Sequence, residues 1–232
     1  MDDLDDDVLS PVVGRREILR TAASAAGLLG LAGFGLSKPL GAMTRNLVLP
    51  RKQMMCVLTP GETQGPYYLN LNLLRSDITE GLPGLATKLF IHVVQASTCL
   101  PVANAAVDVW HANAPGAYSG FGTTVGQTWL RGVQNTDPNG LAVFNTIYPG
   151  WYMGRTQHIH VKVRPTPTTE LTTQLYFRQA LNTWVNTLAP YSTHGQNPTT
   201  NASDMLFLNE TVVSVLYRST NTMFIELTIG VA

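Results

Sequence analysis

Two phenols and two imidazoles stand out as groups that could do chemistry together: Tyr118, Tyr152, His158 and His160. The last three share one short string, PGWYMGRTQHIH at residues 149–160. If HIHVKV (158–163) forms a β-strand, alternate side chains share a face. His158, His160 and Lys162 then point one way, and Ile159, Val161 and Val163 the other. Imidazoles two residues apart on one strand can reach one metal ion. A tyrosine delivered by the Pro149-Gly150 turn just upstream can reach it too. Phenolate is a hard anionic oxygen ligand, and its acid has an unperturbed pKa of about 10, so a strongly charged cation must deprotonate it. Two phenolates with two imidazoles suit a trivalent ion better than zinc or ferrous iron.

Short strand-like runs must position these groups: LFIHVVQA (89–96), AAVDVW (105–110), LAVFNTI (141–147), HIHVKV (158–163), QLYF (174–177), VVSVLY (212–217) and MFIELTI (223–229). Turn signals separate them, the strongest being Asp137-Pro138-Asn139-Gly140. The last two runs read as a hairpin joined by Arg218 to Thr222, and only Gln179 to Leu188 has helical character. Residues 46–85, punctuated by Pro60-Gly61, Gly65-Pro66 and Pro83-Gly84, read as an irregular arm. The expected fold is all-β, a β-sandwich of mixed or antiparallel strands with long loops and little helix.

The chain has 232 residues, 44% of them hydrophobic and 13% charged, with no formal net charge. That composition supports one well-packed domain and offers no basic-aromatic surface for nucleic acid. Residues 1–45 read differently. An acidic start precedes Arg15-Arg16 and an apolar stretch from Ala22 to Leu36. That stretch falls short of the ~20 residues of a stable membrane span. It resembles a twin-arginine-type export signal, with a small-residue site near Gly41-Ala42. The organisation expected is therefore a signal and flexible N-terminus over 1–45, then one folded β-sandwich domain over 46–232. Export would be to the periplasm, cell surface or medium. Cys56 and Cys99 both follow the signal. An even count in an exported chain suggests a disulfide, against the alternative of two buried thiols. Closing such a loop contributes up to ~4 kcal/mol in the chain-entropy account.

Several strings together resemble the intradiol ring-cleavage dioxygenase family. They are TPGETQGPYYL (59–69), VDVWHANAPGAYSG (107–120), RGVQNTDPNGLAVFNTIYPGWYMGRTQHIH (131–160) and TQLYF (173–177). The resemblance implies a β-sandwich holding one non-haem ferric ion. Carried over residue by residue, Tyr118 and His158 would be the equatorial ligands and Tyr152 and His160 the axial pair. Tyr152 would leave the metal when substrate binds and take up a substrate proton. Arg155 matches the arginine beside the substrate ring, and Gln174 the glutamine that shapes the substrate and oxygen pocket. The implied reaction joins O₂ to a catechol-type aromatic and breaks the ring between its two hydroxylated carbons, giving a muconate-type dicarboxylate.

Two other classes stay open on the residues alone. A cupin-like oxygenase using His158 and His160 would want a third histidine or a carboxylate, and the nearest downstream carboxylate is Glu170. A transthyretin-like or carbohydrate-binding sandwich could share the strand pattern but has no use for both tyrosines and the histidine pair. His92, His111 and His194 read as structural or surface residues, and Trp110 and Trp151 as core or loop anchors. Tyr67 and Tyr68 read as packing residues or pocket lining.

Overall fold

The computed structural model describes residues 56–218 and 221–232; the expected leader and the first residues of the arm lie outside them. The strands are β1 Ala86–Gln95, β2 Ala106–Trp110, β3 Arg131–Asn135, β4 Leu141–Ile147, β5 His158–Thr166, β6 Thr169–Tyr176, β7 Ser214–Arg218 and β8 Thr222–Val231. One α-helix, α1, spans Gln179–Val185. The strands form two four-stranded sheets, ordered β4-β1-β8-β7 and β3-β2-β5-β6. The first is mixed, because β1 runs antiparallel to β4 and parallel to β8. The second is antiparallel throughout. The expected β-sandwich is what the chain forms. Among the described residues no helix is long and apolar enough to cross a membrane.

The core lies between the sheets. Leu89, Ile91, Val93, Phe144, Met223, Ile225 and Ile229 come from the first sheet, and Val107, Val109, Ile159, Val161, Val163 and Leu175 from the second. Each fully buried aliphatic or aromatic side chain of this kind contributes about 1.5–3 kcal/mol. The period-two pattern read in 158–163 holds: Ile159, Val161 and Val163 enter the core while His158, His160 and Lys162 occupy the opposite face.

Two elements differ from expectation. β3 (RGVQN) has no apolar alternation to announce it, and it is a strand because it pairs residue for residue with β2. α1 stops at Val185 rather than Leu188, since the amides of Thr187 and Leu188 donate to carbonyls three residues back, the tighter 3₁₀ pattern.

The outer face of the second sheet is polar yet buried. Strand register sets its rows. Arg131, Trp110, His160 and Gln174 lie side by side across β3, β2, β5 and β6, and Asp108 pairs with Lys162 one row further along. The irregular arm covers this face and crosses its strands in order. The Glu62 amide donates to the Thr172 carbonyl on β6, and Lys162 on β5 donates to Gln64. Tyr68 donates to Asp108 on β2, and the Arg75 amide donates to the Val133 carbonyl on β3. A disulfide joins Cys56, at the start of the described arm, to Cys99 beyond β1. Thr59 is fastened to Gly230 of β8 by two hydrogen bonds of 2.9 Å.

Candidate metal centre

The tyrosines reach the histidines from two loops that touch backbone to backbone. Tyr118 follows β2 on the 111–120 loop, and Tyr152 precedes β5 on the 149–154 loop. A Cβ at Gly116 would collide with the Trp151 carbonyl, and one at Gly150 with the carbonyls of Asn113 and Ala114. Only glycine permits that approach, and Gly116 also holds φ +88°. Arg131 then fastens the first loop, its Nε donating to Ser119 Oγ (2.9 Å) and its Nη2 to the Ser119 carbonyl (2.7 Å). Burial pulls the Arg131 guanidinium down to about 10, so it stays charged at neutral pH.

All four expected donors meet. His158 Nε2 lies 3.2 Å from His160 Nε2, 3.3 Å from Tyr152 Oη and 3.4 Å from Tyr118 Oη. Tyr118, His158 and His160 are buried and Tyr152 is half-buried. His158 Nδ1 is 2.7 Å from the Thr156 carbonyl, an acceptor only, so Nδ1 carries the proton and Nε2 presents a lone pair. Burial drives His158 down to about 3, helped by the nearby Arg155 charge, and drives His160 well below its ordinary value. Both imidazoles are therefore neutral, the form that ligates a metal. Burial pushes Tyr118 well above the ordinary phenol value and raises Tyr152, whose shift Arg155 partly offsets. Neither phenol ionises here without a cation, and two phenolates would balance most of a trivalent charge. The donor set thus fits a small, highly charged ion.

Aromatic rings pack the site. Trp110 stacks on His160 with centroids 4.9 Å apart and planes within 2°. It belongs to a cluster with Tyr118, Tyr67 and Tyr152 rather than to the sandwich core. Tyr67 of the arm stacks on Tyr118 at 4.4 Å and meets Tyr152 edge-on at 5.9 Å. The buried side-chain atoms with no hydrogen-bond partner among the described residues are Trp110 Nε1, Arg131 Nη1 and His160 Nδ1, all in one cross-strand row. His160 is thus held by stacking where a ligating histidine more often donates a second hydrogen bond.

Arg155 and Gln174 also come together, Arg155 Nη2 donating to Gln174 Oε1 at 2.7 Å. The same nitrogen donates to Tyr176 Oη at 3.2 Å. The carboxylate paired with Arg155 is the buried Asp204, not a surface group. Tyr176 Oη has acceptors at 2.7 Å on two sides, Glu62 Oε1 and the Leu206 carbonyl, but only one proton to give. Burial raises the Glu62 carboxyl, the direction that lets it supply the second proton.

The remaining histidines stand apart from the four donors. His111 is buried, with Nδ1 on the Ala112 carbonyl and Nε2 on Thr146 Oγ1. His92 faces Glu226 at 3.6 Å, and His194 packs on Trp151. Glu170 sits with Lys162 and Arg164, and among the described residues no three His, Cys, Asp or Glu side chains gather as a metal site. The tyrosines are what complete the donor set. Sequence reasoning missed Asp204, Glu62 and Tyr176 as partners of the site; Glu62 and Tyr176 lie inside strings that resemble the family, whereas nothing around Asp204 marks it.

Residues 64–197 match the dioxygenase family model. A chlorocatechol 1,2-dioxygenase of Pseudomonas sp. (strain P51) is 30% identical over 144 residues, covering 49% of this chain and 53% of that protein. The chain spans about half the length of the curated relatives it matches. An intradiol ring-cleavage dioxygenase from Tetranychus urticae superposes with a TM-score of 0.71 at 26% identity, over 75% of this chain and 94% of that one. The dioxygenase domain of a dioxygenase–carbohydrate-binding fusion from Streptomyces sp. SirexAA-E does so at 0.59 and 29% identity, over 76% and 100%. The matched segment runs from the arm through both tyrosine loops and the histidine strand, and with that span accounted for the chain belongs to the intradiol ring-cleavage dioxygenase family.

Proposed function

We propose that this chain is a non-haem ferric dioxygenase that opens catechol-type rings between the two hydroxylated carbons, yielding muconate-type dicarboxylates in aromatic catabolism. The observation that carries this reading is the convergence of Tyr118, Tyr152 and His160 on His158 Nε2 within 3.2–3.4 Å. The names of the chlorocatechol-cleaving relatives support a catechol-type substrate.

Tyr118, Tyr152, His158 and His160 would hold Fe³⁺, which when bound supplies a Lewis acid that draws electron density from a catecholate and makes its ring reactive toward O₂. The protein's own groups do the rest. Tyr152 is the more exposed of the two phenols and can accept a catechol proton at its Oη. Arg155 is a permanent cation anchored beside Tyr152, and it would stabilise negative charge growing on the ring and on the incoming oxygen. Gln174, fixed by Arg155 and by its own amide on the Thr63 carbonyl, would wall the substrate. The stacked rings of Tyr67, Tyr118 and Trp110 keep bulk water from the ligands.

The visible spectrum of aerobically purified protein tests this reading. A red-brown tyrosinate-to-iron band that shifts on anaerobic addition of catechol is the expected result. A protein that stays colourless after ferric reconstitution would remove it. We also propose export through the Arg15-Arg16 leader, supported by its charge and apolar pattern. Fractionation that finds the mature chain only in the cytoplasm would overturn that.

A further inference from the structure

Asp204 lies on the 197–206 segment, well beyond the histidine strand in sequence, yet its side chain is 1% exposed and that of its partner Arg155 14%. Both carboxylate oxygens accept from Arg155 Nε, at 2.9 and 3.1 Å. The same carboxylate accepts from the Thr156 amide at 2.9 Å and from the Leu206 amide at 2.9 Å. The Thr156 carbonyl is in turn the acceptor for His158 Nδ1. One buried carboxylate thus grips two consecutive residues. The first carries the cation beside the four donors, and the second fixes which nitrogen of His158 faces them. The segment reinforces the grip, since Asn197 Nδ2 donates to the Arg155 carbonyl and Thr156 Oγ1 donates to Asn201 Oδ1.

We infer that Asp204 is a positioning residue for the site, aiming Arg155 by charge and His158 through Thr156, whose amide it holds and whose carbonyl accepts from His158 Nδ1. This rests on the proposed dioxygenase reading and extends it to a residue outside the metal and substrate groups. The two roles separate by chemistry. Asparagine at 204 keeps an oxygen acceptor for the Thr156 amide but loses the charge that holds Arg155. Alanine loses both.

The test uses Asp204→Asn, Asp204→Ala, Arg155→Gln and the Asp204→Asn/Arg155→Gln pair in the full chain. Asp204→Asn should retain iron against a chelator at close to the wild-type rate. Its kcat for catechol should fall on the order of 10²-fold, as on loss of one transition-state donor. In the Arg155→Gln background the same substitution should cost less than about threefold. Asp204→Ala should in addition release iron about 10–100-fold faster, as when a group supporting a metal ligand is removed. Equal kcat losses in both backgrounds would overturn the inference, as would iron release from Asp204→Ala no faster than from Asp204→Asn.

Melting temperature decides the case if Asp204→Asn alone does not fold. Arg155→Gln strands a buried carboxylate, so the double variant should melt several degrees above Arg155→Gln. A double variant that melts lower means that the pair is not coupled. A wild type that binds no iron or turns over no catechol defeats the dioxygenase reading instead, and the melting comparison still decides the Arg155–Asp204 coupling.

Discussion

The two sheets share one core but treat their outer faces in opposite ways. Along β1 the burial alternates, with Leu89, Ile91 and Val93 inside and Lys88, Phe90 and His92 half-exposed. Along β5 the residues from His158 to Val163 are all buried. Both sheets carry histidine on the outer face. His92 meets solvent and Glu226, whereas His158 and His160 lie among phenols under an arm. A strand by itself therefore does not fit its histidine to hold a metal. The covering does, by removing water, holding the imidazole neutral and supplying oxygen donors from neighbouring loops.

The comparison breaks most visibly at the ligands. His160→Ala and Tyr118→Phe should abolish the tyrosinate colour and lower catechol turnover by more than the 10–100-fold typical of losing a supporting partner. His92→Ala should leave both unchanged. Iron analysis with oxygen uptake reads the outcome, and full loading with full turnover in the ligand variants would end the assignment.

Acid should discriminate next. His111, buried between the end of β2 and β4, is held at about 4 by desolvation, against 6.5 in a free chain. Above about pH 6.5 both states leave it neutral. As pH falls toward 4 the unfolded chain takes a proton that the fold refuses, so stability is lost across that window. The loss levels out at about 3 kcal/mol. His111→Gln should remove the His111 share of this acid limb, and urea unfolding of the variant and the wild type at pH 7 and pH 4.5 measures it.

Loosening the arm is a smaller perturbation. The Tyr68 hydroxyl donates to Asp108 and accepts from Arg164 at 2.6 Å. Tyr68→Phe leaves a buried carboxylate one donor short and should cost about 1–3 kcal/mol in urea unfolding. On the first sheet, Glu226→Gln breaks only a half-exposed pair, and thermal melts should register less than about 1 kcal/mol.

Much of this was legible in the chain. The alternation in HIHVKV put His158 and His160 on one face, because strand geometry has a period of two whatever surrounds it. The turn signals and apolar runs located most strands and announced a sandwich. β3 was illegible because RGVQN becomes a strand only through its partner β2. Trp110 read as a core or loop anchor, because bulk and apolarity do not say which side of a sheet a tryptophan takes. Asp204 reaches the site from a distant segment, and although Glu62 and Tyr176 lie in strings that resemble the family, a lone carboxylate or phenol carries no local mark of its partner.

By itself, then, the sequence determined the fold class, the face on which the histidines lie, and the four residues, of two types, able to bind a trivalent ion. These follow from local periodicity and from the chemistry of side chains. Only the tertiary structure decided that the arm would cross the second sheet and not the first, that two glycines would bring the tyrosine loops together, and that Asp204 would hold Arg155. Those outcomes depend on contacts between segments far apart in the chain, where strand register and close packing, not local preference, choose the neighbour.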